Sequence, residues 1–155
     1  EAWLSEIKPS VFPGWDDASL ISDEERRDLI RLQDERNAAG GMIVNYLAHF
    51  ESGDHFGCNA GGKMIYVDAF GEVSPCVFIP LTFGNVRERS VKDITKTMAG
   101  LFQPRASCFM NTHYARMRKY AGGPLPIGGI DAIACAAEAA GPGPAPEFWR
   151  ISHGR

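Results

Sequence analysis

Four cysteines, Cys58, Cys76, Cys108 and Cys135, are the residues of this 155-residue chain with the most chemistry to offer. Thiolates are soft ligands, suited to zinc or to an iron–sulfur cluster. Cys58 and Cys76 stand at the two ends of what reads as one β-hairpin, with seventeen residues between them. A hairpin brings its ends together, so the two thiols can lie close without a CxxC motif. Two buried structural thiols would give the same pattern, because free cysteine is among the most buried residue types. Spacing alone leaves both readings open.

The residues between them support the hairpin. Lys63-Met64-Ile65-Tyr66-Val67 is rich in β-formers and follows Gly61-Gly62. Asp68-Ala69-Phe70-Gly71 reads as a turn, with Gly71 free to take a positive φ. Glu72-Val73-Ser74 is the short return strand, and Pro75 ends the pairing because it has no N–H to donate.

Gly57-Cys58, Ala60-Gly61, Ile65-Tyr66-Val67-Asp68, Gly71, Val73 and Pro75-Cys76 are followed by Phe83-Gly84-Asn85-Val86 and Ser90-Val91-Lys92-Asp93-Ile94. Over roughly residues 54 to 112 this series resembles the C-terminal auxiliary-cluster region of radical SAM enzymes, the SPASM and Twitch domains. The resemblance implies a 4Fe–4S cluster held by cysteine thiolates, with Cys58 and Cys76 as its first ligands. It adds Cys108, which follows the helix after the hairpin, where these families commonly place a further cluster cysteine. Cys135 completes a set of four. It sits within Ile133-Ala134-Cys135-Ala136-Ala137, where a packed core thiol is the alternative. Without Cys135 one iron would be open to substrate, water or a histidine, His113 and His55 being nearest in sequence; His49 and His153 carry no signal.

The chain has no CxxC and too few thiols for two clusters, so it resembles the shorter Twitch type. It also lacks the CxxxCxxC that binds the SAM-cleaving cluster, and any GxGxxG loop, P-loop or HExxH. S-adenosylmethionine would therefore act only through an N-terminal barrel missing from this chain. By itself the chain is not expected to be an active enzyme.

Composition narrows the partners. The net charge is −3, which gives no electrostatic case for nucleic acid. No run of about 18 apolar residues could span a membrane. No basic segment followed by an apolar one opens the chain, so no secretory signal is read, and four thiols then suggest a reducing cytoplasm. The first residue is Glu1, which reads as a piece of something longer. The partners expected are a radical SAM barrel and a substrate the sequence does not identify.

The positioning elements give an α+β fold. Trp3 to Lys8 reads as a short strand closed by Pro9, Ser22 to Glu25 as a capping box opening a helix from Asp23 to about Ala39, and Met42 to Leu47 as a buried strand. This strand–helix–strand unit, residues 1–50, resembles the tail of a partial β/α barrel; belonging to the small domain itself is the alternative. Residues 51–121 form the cluster domain: the hairpin, then a helix over Val91 to Phe102 capped by Ser90, then a short helix over Asn111 to Tyr120 with a solvated basic face. Residues 122–155 are a Gly/Pro/Ala-rich extension. It holds an Ala-rich helix from Asp131 to Ala140 with Asp131 as its cap, a proline-rich stretch over 141–146, and a tail from Phe148.

Competing readings use the same residues. A structural zinc module would take the four cysteines, although paired short spacings are absent. A metal-free interaction domain would simply bury them. A cysteine enzyme, with His55 or His113 activating Cys58 or Cys108, has no local signature. Phe56, Phe70, Phe78 and Phe83 surround the cysteines in sequence and either shield a cluster or fill the core.

Overall fold

Strand β1 (Ala2–Leu4) lies parallel to β2 (Val44–Tyr46), Trp3 opposite Asn45, and helix α1 (Asp23–Ala39) crosses between them. These elements belong to a computed structural model that describes residues 1–139 and 144–153. α1 starts where the sequence places it: Ser22 accepts from the Glu25 amide, and the Glu25 carboxylate takes the Ser22 amide at 2.6 Å. The strands are shorter than the apolar runs predict. β2 turns directly into α2 (Leu47–Phe50), so β1 loses its partner beyond Leu4. Met42 and Ile43, expected to be buried, are exposed, because β2 starts only at Val44 and they lie in the bend that precedes it.

Two polar residues fix α1 on the sheet: Asn37, which bonds both the amide and the carbonyl of Val44 at 2.8 Å, and Gln33. Gln33 is the buried residue of the helix, its Oε1 accepting the Tyr46 amide at 2.7 Å and its Nε2 meeting His49 Nδ1 at 2.8 Å. Apolar periodicity cannot reveal such a contact, since the face it fills is marked by hydrogen bonding.

The hairpin pairs β3 (Tyr66–Val67) antiparallel with β4 (Val73–Ser74). The Asp68 carboxylate accepts the amides of Phe70 and Glu72 and closes the turn. Gly71 has φ +91°, and a Cβ there would lie 2.6 Å from Asn85 Oδ1. Both the backbone strain and the clash disfavour a side chain, so Gly71→Val should lower stability by about 1–3 kcal/mol. A thermal melt checks this, and an unchanged melting temperature would contradict the turn geometry.

Helix α3 (Val91–Ala99) is capped by Ser90 and buries Ile94 and Met98 completely, each contributing about 1.5–3 kcal/mol. It ends three residues before the sequence predicts, yet Phe102 remains in the core beside Phe83 and Phe109. Helix α4 (Phe109–Met117) continues as a 3-10 turn over Arg118–Tyr120. Helix α5 (Gly129–Ala139) begins two residues before Asp131, which sits in its first turn and is not its cap. The segment from Phe148 is not a loose tail. Helix α6 (Glu147–His153) docks Phe148 on Phe56, and the Glu147 amide donates to Gly53 O at 2.8 Å. Within the expected proline-rich stretch, Pro144 to Pro146 are neither helix nor strand, and 140–143 lie outside the described residues.

The N-terminal segment is tied to the rest through Glu6. Its buried carboxylate accepts from Lys8 and Asn111 on one oxygen and from Arg26 and the Tyr46 hydroxyl on the other, all at 2.9–3.0 Å. Burial alone would raise its pKa, but the bonds from Asn111, Lys8 and Arg26 outweigh it and hold the carboxyl at about 2. A depressed folded pKa means stability present at neutral pH and lost as pH falls from about 4.5 to about 2. Glu6→Gln should be about 1–3 kcal/mol less stable at neutral pH and should lose much of the wild-type decline across that window. Denaturant titrations at both ends of it check this, and equal pH dependence in the two proteins would contradict the assignment.

Candidate metal centre

Three different elements deliver three thiols to one place. Cys58 pairs with Arg105 in an antiparallel bridge, its amide donating to Arg105 O at 2.8 Å. That approach needs the preceding Gly57, which has φ +65° and whose Cβ would come within 2.5 Å of Arg105 O. Cys76 follows the return strand, and the Pro75 carbonyl beside it accepts from Gly61, closing the far end of the hairpin. Cys108 is the residue that precedes α4 and caps it without a side-chain bond to the helix.

Cys58, Cys76 and Cys108 line one cavity of about 140 Å³, together with Lys8, Glu51, Met64 and Phe78. One of the three sulfurs, Cys58 Sγ, also receives a backbone N–H. Phe109 donates to Cys58 Sγ at 3.5 Å, and the Phe78 and Asn111 amides favour the charged forms of Cys76 and Cys108. Phe109 and Asn111 belong to the first turn of α4, where the helix dipole favours negative charge. Burial pushes the Cys76 thiol up, and the Phe78 amide opposes it. Burial likewise pushes Cys108 up, against the charge of Lys8 and the Asn111 amide. Metal coordination would reverse that balance, since a bound cation deprotonates its thiols.

The arrangement fits an iron–sulfur cluster. Oriented N–H donors stabilise thiolate sulfur, and Phe109 supplies one at Cys58. The cavity is several times larger than the roughly 10–15 Å³ that one water-sized sphere needs. A single tetrahedral zinc would instead draw its sulfurs to about 3.8 Å from one another. Among the described residues no three His, Cys, Asp or Glu side chains converge in that way.

The structure does not bring Cys135 to this cavity. It is fully buried on α5, in a stripe with Ala132, Ala136 and Ala139 at helical spacing. Burial pushes its thiol up to about 11, and the charges acting on it are those of Glu138 and Arg116. The small residues on its helix let α5 pack closely, and a thiol suits that seam. The i, i+3, i+4, i+7 spacing was the available sequence signal for it.

Among the described residues no histidine lines the cavity. His113 bonds to Arg105 at 2.9 Å, and His49 stacks edge-on against His55. Of the four phenylalanines near the cysteines, Phe78 lines the cavity, Phe83 is core, Phe56 holds α6 and Phe70 is exposed. The basic face expected to be solvated is partly engaged: Arg118 pairs with Asp17 at 2.7 Å. Lys8 and Glu51 were not legible as site residues. They lie outside the cysteine segment and reach the cavity only through the packing of the N-terminal unit.

Residues 58–117 match the family model of SPASM, an iron–sulfur cluster-binding domain. The matched span holds Cys58, Cys76 and Cys108 and stops before Cys135. No curated protein and no solved structure matches the chain. Among the described residues no helix is long and apolar enough to cross a membrane.

Proposed function

We propose that this chain, whose residues 58–117 are a SPASM-type iron–sulfur domain, is the auxiliary-cluster region of a radical SAM enzyme, carrying one 4Fe–4S cluster. The observation that carries the reading is the set of three thiols on one cavity, with Cys58 Sγ accepting the Phe109 N–H. When bound, such a cluster supplies one-electron transfer, or a Lewis-acidic iron at which substrate is anchored. Cys58, Cys76 and Cys108 hold it. Met64 and Phe78 narrow solvent access, and Lys8 sets a positive charge beside the thiolates. With Cys135 on α5, a fourth ligand comes from outside the cysteine set. A single cluster makes the domain Twitch-like in capacity.

The N-terminal unit supports a partner barrel. A parallel sheet is ordinarily covered on both faces, whereas Trp3 on β1 and Met42 and Ile43 just before β2 are exposed. Further parallel strands of a β/α barrel would cover that surface and would bring the SAM-cleaving cluster. The division into a barrel tail over residues 1–50, a cluster domain over 51–121 and an extension over 122–155 belongs to this proposal, as does a cytoplasmic setting. Electron paramagnetic resonance after anaerobic reconstitution and dithionite reduction tests it. A fast-relaxing signal of a reduced cluster is expected, and a silent, colourless sample with bound zinc would overturn the reading in favour of a structural module.

A further inference from the structure

Three thiols leave one corner of a 4Fe–4S cluster without a cysteine, because Cys135 lies on α5. The walls of the cysteine cavity offer three other side-chain groups with lone pairs: the Glu51 carboxylate, the Asn59 amide oxygen and the Met64 thioether. The last two are neutral and weak acceptors. Lys8 has no lone pair to give, since its ammonium donates to Glu6 and Glu51 at 3.0 Å each. Among the described residues Glu51 is the one carboxylate on the cavity wall.

Glu51 is fixed at both its backbone and its head group. It closes α2, its amide donating to Leu47 O at 3.2 Å. Its Oε2 accepts from Lys8, which is itself anchored on the buried Glu6. Its Oε1 has no hydrogen bond among the described residues. Both oxygens of a carboxylate carry lone pairs, so an ion pair on one leaves the other able to bind metal. The ligands of a cluster bind different irons and need not converge on one point, as those of a single ion must. Lys8, Glu51 and Cys108 also line a second cavity of about 360 Å³, together with Ser52, Ser107 and Thr112. Glu51 therefore stands where the cysteine cavity meets a polar one.

We propose that Glu51 is the fourth protein ligand of the cluster, its carboxylate binding the iron that the three cysteines leave free. The inference rests on the cluster reading and deepens it. Thiolate is the softer ligand and suits an iron–sulfur core better than carboxylate, so the Glu51 corner holds its iron by the more exchangeable bond. A nitrogen or oxygen donor entering from the polar cavity would displace Glu51 before any cysteine. Glu51 thus closes the cluster at rest and marks the iron open to exchange.

The test is the electron paramagnetic resonance spectrum of the reconstituted, dithionite-reduced full chain, titrated with imidazole at an alkaline pH where that ligand is neutral. A neutral probe does not respond to a change of charge alone. Glu51→Gln keeps the side-chain volume and removes the charged ligand. It is expected to alter the spectrum and to bind imidazole at a concentration about tenfold lower than the wild type needs, or less. Acetate added to Glu51→Ala should return the wild-type spectrum by supplying the missing carboxylate. If Glu51→Gln loads no cluster, Glu51→Ala carries the test: acetate, but not chloride, should restore its iron content, and equal content in the two salts overturns the proposal. An unchanged spectrum and imidazole response in iron-loaded Glu51→Gln overturns it while leaving the cluster reading intact. A wild-type chain that takes up no iron and sulfide overturns both.

Discussion

Alanine at Cys58, Cys76 or Cys108 is expected to abolish stable cluster binding, while Cys135→Ala leaves iron content unchanged. A cubane asks one ligand of each of its four irons. With three thiols on the cavity, losing one leaves two thiolate ligands on a core that water and oxygen then reach. Metal-binding energy is also folding energy for the elements that carry the ligands. The hairpin and the start of α4 should therefore become more susceptible to proteolysis in the three variants. Cys135 lies in the seam of α5, so its replacement by alanine removes a sulfur atom from packing and no ligand. Iron and sulfide analysis of the four variants checks this. Loss of iron in Cys135→Ala, or its retention in any of the other three, would contradict the ligand set.

Phe109→Ala should be the most damaging change outside the cysteines, lowering unfolding free energy by about 3–5 kcal/mol. The ring is 1% exposed and contacts Phe102, His113 and the Arg105 guanidinium. Its amide is also the donor to Cys58 Sγ, so a displaced α4 start would weaken the thiolate site as well. Phe109→Leu keeps most of the volume and should cost less than about 1.5 kcal/mol. Urea denaturation of both variants checks the pair. A loss below about 1 kcal/mol in Phe109→Ala would contradict its place as the link between core and site.

The parts that were legible in the sequence are those set by local rules. The capping box at Ser22 and Glu25, the turn at Asp68 to Gly71 and the cap at Ser90 depend on a few neighbouring side chains. The resemblance across the hairpin brought Cys58, Cys76 and Cys108 to attention, and the fold gathers those three. Long-range packing was not legible. The N-terminal unit reaches the site through Lys8 and Glu6, whose partners Glu51 and Asn111 lie 43 and 105 residues away. α6 folds back on the loop before Cys58, although Phe148 onward carries no strong helical pattern. Cys135 was drawn into the ligand set by counting thiols, when the alanines around it already described a packed helix face.

Iron and acid-labile sulfide per chain, measured on protein reconstituted without oxygen, test the central claim most directly. About four of each, lost together in Cys58→Ala, are the predicted result. One zinc per chain, or no metal at all, would contradict an iron–sulfur site on these three thiols.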